Sequence, residues 1–278
     1  MSGRVLMFVG AHPDDETFGP GGTLARYAAE GVRVVYACAT RGEAGSAEPD
    51  ELGGQRWAEL MSAAKALRLA AVLLLGYRDS GMPGWPENRH PRALMLAALE
   101  DVTREVVAVI RSERPQVVIT FDPIGGYHHP DHIAIHQATV RAFHMAGDPA
   151  QYPGVGTPFS PQKLYFWIPP RRILKLRVGL LRALGRDPSR AGRNGDVDLA
   201  SVARMRFPVH ARIRLSQEAL GRKLAAVRCH ASQIGPPSLT GRLLGSLARL
   251  LGRSELYLRA APVPEPARLE ADLFEGLA

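Results

Sequence analysis

Residues 4–16 read RVLMFVGAHPDDE, a short apolar run that ends abruptly in a histidine and three acidic residues. The run from Arg4 to Gly10 contains β-branched residues and is long enough for a buried strand but too short for a helix. Its polar end cannot continue into a core, because unpaired buried charges are costly. This stretch therefore predicts a buried strand whose carboxyl end carries a functional site.

Apolar strands and helical patterns alternate along the first half of the chain. Near-continuous apolar strands separated by helices are typical of a parallel sheet covered on both faces. We therefore expect an α/β fold, Rossmann-like and doubly wound, with a mainly parallel sheet and an irregular C-terminal portion. In such sheets ligands bind beyond the carboxyl ends of the strands. The predicted strands are 4–10, 32–39, 72–75, 116–121 and 163–168, and the predicted helices are 21–30, 51–69, 93–112 and 131–145.

The alternation weakens after residue 146. Residues 147–161 contain four Pro and three Gly, which is typical of a long loop or a domain seam. We predict a catalytic core at 1–146 and a basic C-terminal portion at 147–278 that completes the fold and the substrate pocket. Within this second portion the spacing predicts basic amphipathic stretches at 174–184 and 242–251, and a helix at 216–230 whose N-cap is Ser216.

Charge is distributed unevenly along the chain. Residues 1–160 carry 14 Lys and Arg against 18 Asp and Glu, whereas residues 161–278 carry 21 against 9, and the whole chain has a net charge of +8. A basic second half indicates contact with an anionic partner or another subunit, or arginine used only for solubility. For the basic stretches 171–186 and 242–253 we favour a subunit interface or a core-facing helix over contact with anionic lipid. A homo-oligomer is therefore expected.

Several protein classes are disfavoured by composition. No run approaches ~18 apolar residues, so we expect no transmembrane helix, and the first residues lack the pattern of a signal peptide. The two cysteines, Cys38 and Cys229, exclude a disulfide framework and a cysteine-rich metal site. The first turn lacks the Gly-x-Gly-x-x-Gly of dinucleotide-binding proteins. An aromatic content of 6% without a recognised motif argues against nucleic-acid binding. We expect a soluble, cytoplasmic protein.

Two polar clusters follow the first and fourth predicted strands, and they can converge across the crevice of a doubly wound sheet. The cluster at 12–16 reads HPDDE and follows the first strand, and residues 122–132 read DPIGGYHHPDH and follow the fourth. Imidazole nitrogens and a carboxylate that leave one position open for water form the pattern of a catalytic zinc site. Zinc lowers the pKa of bound water to ~7, which makes hydrolysis at neutral pH feasible. His136 could share a helical face with His132, and we expect it to pack or to support a ligand.

The pair His12-Pro-Asp-Asp-Glu16 and His129-Pro-Asp-His132 resembles the motifs of the PIG-L/LmbE-like family of zinc-dependent N-acetylglucosamine deacetylases, which includes the deacetylases of mycothiol and bacillithiol synthesis. The resemblance covers residues 4–145. Three further stretches fit it, namely 40–43 and 77–82 after the second and third strands, and 230–233, which read TRGE, YRDSGM and HASQ. His128 departs from the pattern, since a small residue such as glycine is expected there.

The resemblance implies a role for each matching residue. The metal, zinc or alternatively iron, would be bound by His12, Asp15 and His132. Asp14 would act as general base. The residues that would assist at the oxyanion are Tyr127 and His129, with protonation of the departing amine as an alternative for His129.

The remaining matching residues would act around this centre. Asp131 would orient a histidine, and Glu16 would hold the loop together. The sugar would be bound by Arg56, Asp79 and Arg41.

The implied reaction is hydrolysis of the N-acetyl amide of a small-molecule N-acetylglucosaminyl conjugate, which gives acetate and a free amine. The same family includes an amidase that cleaves thiol conjugates, so an internal amide is the alternative substrate. A nucleic-acid or anionic-lipid binding protein is a remote alternative.

Overall fold

The strand predicted from the opening stretch lies in the middle of a seven-stranded sheet. The computed structural model describes residues 3–44, 49–191, 195–234, 253–264 and 268–277. The strands are β1 (Val5–Gly10), β2 (Arg33–Cys38), β3 (Ala71–Leu74), β4 (Val117–Thr120), β5 (Lys163–Ile168), β6 (Ala211–Arg214) and β7 (Ser254–Ala261).

The strand order is β3-β2-β1-β4-β5-β7-β6. The first five strands of this order are parallel, and β7 and β6 add antiparallel pairings at one edge. The chain moves outward from β1 to β3 and then returns to β4 on the other side of β1. This reversal makes the β1–β4 junction the position where a ligand crevice is expected. The predicted Rossmann-like, mainly parallel α/β fold is confirmed.

The helices of the described residues pack in separate groups around this sheet. They are α1 (Asp15–Phe18), α2 (Gly21–Ala29), α3 (Pro49–Leu67), α4 (Leu99–Glu113), α5 (Gly125–His128), α6 (Pro130–Met145), α7 (Arg171–Ala183), α8 (Leu199–Arg204) and α9 (Gln217–Cys229). Helices α2, α3 and α9 pack together, and α4 packs on α6. Because crossovers are right-handed, the reversal between β3 and β4 places these groups on opposite faces of the sheet. In the described part of the chain no helix is both long and apolar enough to cross a membrane.

The helix predicted at 93–112 is wrong at its start. Residues Leu94–Leu96 form a 3₁₀ turn, and the α-helix begins at Leu99. The Leu94 amide donates to the carbonyl of Arg78, and the Met95 amide donates to the Ser80 hydroxyl. These long-range bonds divert the backbone from the helix.

The other predicted elements lie close to the observed ones. The five predicted strands and the helices at 21–30, 51–69 and 131–145 agree with the observed bounds to within two residues, and Ser216 caps α9 by accepting the Ala219 amide. The basic stretch 174–184 lies mostly in α7, and 242–251 lies outside the described residues. Contact of α7 with a second subunit stays a prediction. Strands β6 and β7 were not predicted from the sequence.

The Pro- and Gly-rich segment after α6 is held by one buried side chain. Arg111 of α4 is 4% exposed. Its guanidinium donates at 2.8–3.0 Å to the backbone carbonyls of Ala146, Asp148, Gln151, Tyr152 and Val155. This anchor ties the loop to the first half of the chain, and β5 then joins the sheet beside β4. The division into 1–146 and 147–278 stays a prediction.

We predict that Arg111→Ala lowers the free energy of unfolding by about 3 kcal/mol, because several buried carbonyls lose a charged donor. Urea denaturation measures the effect. Lys65→Ala, an exposed cation on α3, is the control and should change stability by less than about 0.5 kcal/mol. Equal stability of both variants would contradict the anchoring role of Arg111.

Candidate metal centre and active site

Three predicted metal ligands converge where β1 and β4 end. The Nδ1 atom of His12 lies 3.2 Å from Nε2 of His132. The carboxylate of Asp15 lies beside both rings, with Oδ1 3.4 Å from His132 Nε2 and Oδ2 3.7 Å from His12 Nδ1. All three side chains are buried. The backbone amides of Ala11 and His12 donate to Asp15 Oδ2 and fix its orientation.

The outer nitrogen of each ring contacts an oxygen that can only accept a hydrogen bond. His132 Nδ1 lies 3.2 Å from the carbonyl oxygen of Gly125. His12 Nε2 lies 3.1 Å from Asp131 Oδ2 and 3.3 Å from Asp79 Oδ1. These contacts place the ring protons on the outer nitrogens of the neutral rings. The inner nitrogens therefore carry lone pairs that face each other.

This donor set fits a divalent metal ion. Two lone pairs and a carboxylate that approach one point repel each other unless a cation lies between them. The ligands of a tetrahedral zinc ion, with bonds of about 2.0–2.1 Å, lie about 3.3 Å apart. His12 Nδ1 and His132 Nε2 lie 3.2 Å apart, and Asp15 approaches them through different oxygens, with Oδ1 3.4 Å from His132 Nε2 and Oδ2 3.7 Å from His12 Nδ1. The residues present are thus suited to hold zinc or iron.

The buried carboxylates around His12 and His132 favour the binding of a cation. Burial lowers the pKa of His12, but the carboxylates of Asp79 and Asp131 outweigh burial and raise it well above its ordinary value. Burial and the adjacent His12 lower the pKa of His132 well below its ordinary value. Without a metal, the site therefore holds a proton on His12 and leaves His132 neutral. The excess of carboxylates attracts positive charge to this point.

His129 belongs to the same cluster but is oriented differently. Among the described residues, two sets of side chains offer ligand atoms that all lie within 4.8 Å of one another, and neither set includes Asp15: His12, His129 and His132, and His12, Asp79, His129 and Asp131. His129 Nδ1, however, accepts the backbone N–H of Asp131 at 3.2 Å and caps α6. The proton of the neutral ring is then on Nε2, which makes that atom a donor rather than a ligand. We therefore favour Asp15 over His129 as the third ligand.

Asp14 is held beside these ligands in a strained conformation. Its φ of 125° is rare for a residue other than glycine and costs roughly 1–3 kcal/mol. Arg56 Nη2 donates to Asp14 Oδ2 at 3.1 Å, and the Asp14 amide donates to Oε2 of Glu16 at 2.9 Å. Burial, reinforced by Asp15 and opposed by Arg56, raises the pKa of Asp14 to about 7. A carboxylate with this pKa can act as a general base at neutral pH.

The residues predicted to bind the sugar differ in their burial and in the contacts that they make within the protein. Arg56 is buried and donates to the carbonyls of Gly42 and Pro13, both at 2.9 Å, and its Nε has no partner in the described structure. Asp79 is also buried and faces His12. Arg41 is exposed, and its guanidinium lies 5.5 Å from the ring centroid of Trp57. Their contact with sugar stays a prediction.

Tyr127 lines the same cluster. Its ring centroid lies 5.2 Å from that of His132 and 5.9 Å from that of His129. Burial and the neighbouring carboxylates of Asp15 and Asp14 raise the pKa of Tyr127 well above its ordinary value. The hydroxyl therefore stays protonated and can donate a hydrogen bond.

Two further histidines lie outside the convergent set. His128 has a φ of 68°, in the left-handed region that favours glycine, which explains why a small residue is expected there. Its side chain is exposed. His136 lies 2.8 Å, through Nδ1, from the carbonyl oxygen of Phe121, so it supports the turn after β4.

Some residues of the site were not predicted from the sequence. The Ser80 amide donates to Asp131 Oδ2 at 2.8 Å, and the Ser80 hydroxyl also donates to Asp131. The Tyr36 hydroxyl donates to the carbonyl of His12 at 2.7 Å. Ser80 lies in the polar stretch after β3, which was a usable signal, whereas Tyr36 is one apolar position of a strand.

Comparison with known proteins identifies several similar chains. A family model described as PIG-L, GlcNAc-PI de-N-acetylase, matches residues 7–143. A protein of Geodermatophilus obscurus named 1D-myo-inositol 2-acetamido-2-deoxy-alpha-D-glucopyranoside deacetylase is 40% identical over 99% of this chain and 98% of its own length. A protein of the same name from Rhodococcus erythropolis is 38% identical over 99% and 98%. The solved N,N'-diacetylchitobiose deacetylase of Pyrococcus horikoshii shares the fold, with a TM-score of 0.64 and 19% identity over 93% of this chain and 84% of that one.

We predict that a divalent metal stabilises the protein through this cluster. With free zinc at 100 times its dissociation constant, the free energy of unfolding should rise by about 2.7 kcal/mol, because the ion binds only the folded state. Thermal unfolding with zinc and after chelator dialysis measures this. His132→Ala should abolish the shift, and His144→Ala, an exposed histidine of α6, should keep it. An equal shift in both variants would place the ion elsewhere.

Proposed function

This chain belongs to the PIG-L family of de-N-acetylases, and we propose that it hydrolyses the acetamide of an N-acetylglucosamine-containing small molecule. The products are acetate and the free amine. The observation that carries the proposal is that His12 Nδ1 and His132 Nε2 lie 3.2 Å apart beside the carboxylates of Asp15 and Asp14, with one Asp15 oxygen 3.4 Å from His132 and the other 3.7 Å from His12. The curated relatives match nearly the whole chain and are named for an N-acetylglucosaminyl inositol. An inositol conjugate is therefore the substrate that we propose.

The metal would be held by His12, Asp15 and His132, and we propose zinc, with iron as the alternative. When bound, such an ion activates water and polarises a carbonyl group. Asp131 and Asp79 hold the proton of the outer nitrogen of His12, which keeps the inner nitrogen available. This support is typical of histidines that bind a metal.

Asp14 would act as the general base. Its side chain retains 18% of its exposure, so it can contact a substrate, and its pKa of about 7 suits proton transfer at neutral pH. Arg56 holds Oδ2, which leaves Oδ1 to accept the proton of the attacking water. The proton can then pass to the departing amine, which needs it in order to leave.

His129 and Tyr127 would donate hydrogen bonds to the oxyanion. Burial and the nearby His12 and His132 lower the pKa of His129 well below its ordinary value, so the ring is neutral and carries its proton on Nε2. Tyr127 is likewise protonated. Fixed donors of this kind stabilise the charge that develops on the acetyl oxygen. For His129 this role is favoured over that of an acid, because a neutral imidazole is a weak proton donor.

We predict that Asp14→Asn lowers kcat by ~10²-fold or more, because the water loses its proton acceptor. Metal content, measured by elemental analysis, should be unchanged, whereas His12→Ala should lose metal. Asp101→Asn, which removes an exposed carboxylate from α4, is the control variant. Full activity of the Asp14 variant would remove this residue from the mechanism.

The substrate is tested with N-acetylglucosamine conjugates of inositol, malate and lipid, and with a thiol conjugate that contains an internal amide. We expect acetate and amine in equal amounts from the inositol conjugate, and no product in the presence of a chelator. Cleavage of the internal amide without acetate release would assign the chain to the amidase alternative. Absence of any product with metal-loaded protein would contradict the proposed function.

A further inference from the structure

The turn that follows α9 contacts Glu16, which supports Asp14, and Glu59, which lies on the helix that carries Arg56. His230 is 0% exposed, and its Nε2 lies 2.8 Å from Oε1 of Glu16, a residue 214 positions earlier. Two residues further, Ser232 donates its amide at 2.9 Å and its hydroxyl at 2.6 Å to the carboxylate of Glu59. These residues belong to the stretch 230–233, which has no role in the proposed reaction.

Each of these acids is linked to Asp14. Glu16 accepts the backbone N–H of Asp14 at 2.9 Å through its second carboxylate oxygen. Glu59 lies on α3 three residues after Arg56, about one helical turn along. The Arg56 guanidinium holds Asp14 Oδ2 at 3.1 Å and the carbonyl of Pro13 at 2.9 Å. The turn thus contacts the acceptor of the Asp14 amide directly, and through Glu59 it contacts the helix that carries Arg56.

Asp14 needs such support because its backbone is strained. A φ of 125° is unstable for aspartate unless the surroundings hold it. Glu16 is the acceptor of the Asp14 amide, and Glu16 can keep that position only while its own side chain is fixed. Nδ1 of His230 has no hydrogen-bond partner in the described part of the chain, so Glu16 is the polar group that orients this ring. The Thr17 hydroxyl also donates to Glu16 Oε1, so Thr17 and His230 together fix the Glu16 carboxylate.

We propose that His230 is a positioning residue for the general base, and that Ser232 supports it through α3. The inference rests on the proposed role of Asp14. His230 acts through Glu16 and does not contact the substrate. Because misplacement of a reacting group by about 1 Å can cost ~10²-fold in rate, loss of the contact with Glu16 should be measurable in kcat.

The test compares His230→Ala, His230→Gln and Ser232→Ala in the metal-loaded, full-length enzyme. We expect His230→Ala to lower kcat by ~10-fold with KM and metal content unchanged, because the fixed orientation of Asp14 is lost together with a nearby ring that lowers the Asp14 pKa. The glutamine variant should recover part of the rate, since its amide can donate to Glu16. Ser232→Ala should lower kcat less than His230→Ala does. Arg228→Ala, exposed on the last turn of α9, is the matched control and should leave kcat unchanged.

A double-mutant cycle separates this role from a merely structural one. In the Asp14→Asn background, His230→Ala should cause no further loss of kcat, because it acts through Asp14. An equal loss in both backgrounds, or a His230→Ala enzyme with full kcat, would overturn the inference. If Asp14→Asn itself keeps full activity, the proposed base is wrong, and this outcome is distinct from a failure of His230 alone. If His230→Ala does not fold, the double-mutant cycle is measured with His230→Gln instead.

Discussion

The structure depends on two imidazole lone pairs that face each other at the junction of β1 and β4. His12 Nδ1 and His132 Nε2 are 3.2 Å apart, and the outer nitrogen of each ring is directed at an oxygen that can only accept. No tautomer of the neutral rings satisfies all of these contacts without a cation or an extra proton. The strand order places the two rings together at the reversal point of the sheet. The fold therefore brings together groups that need a cation or an extra proton between them.

The surrounding acids increase that need, although the whole chain has a net charge of +8. Asp15, Asp79 and Asp131 are buried within reach of His12. Their negative charge is only partly balanced by protein cations, since Arg56 is the guanidinium that the described contacts place beside Asp14 and Asp79. Local charge at the ends of the strands, rather than net charge, therefore determines what the site can bind.

Patterns that are local in sequence predicted the fold and the position of the site. The buried strand and its polar end could be predicted from residues 4–16, because the sequence changes from apolar to charged residues within a few positions. The start of α4 could not be predicted from the sequence, because it depends on a hydrogen bond from the Met95 amide to Ser80, 15 residues away. Likewise the contact between His230 and Glu16 joins positions that are distant in sequence, and no local sequence pattern predicts such a contact. Sequence motifs indicated which residues matter, whereas tautomers and supports required the fold.

The most direct measurement is X-ray absorption spectroscopy of the protein loaded with one equivalent of zinc. We expect two imidazole ligands, from His12 and His132, and oxygen ligands in the remaining positions, one of them from the carboxylate of Asp15. A spectrum with three imidazoles would mean that His129 binds the ion instead of donating to the oxyanion. A site without imidazole ligands would contradict the account as a whole.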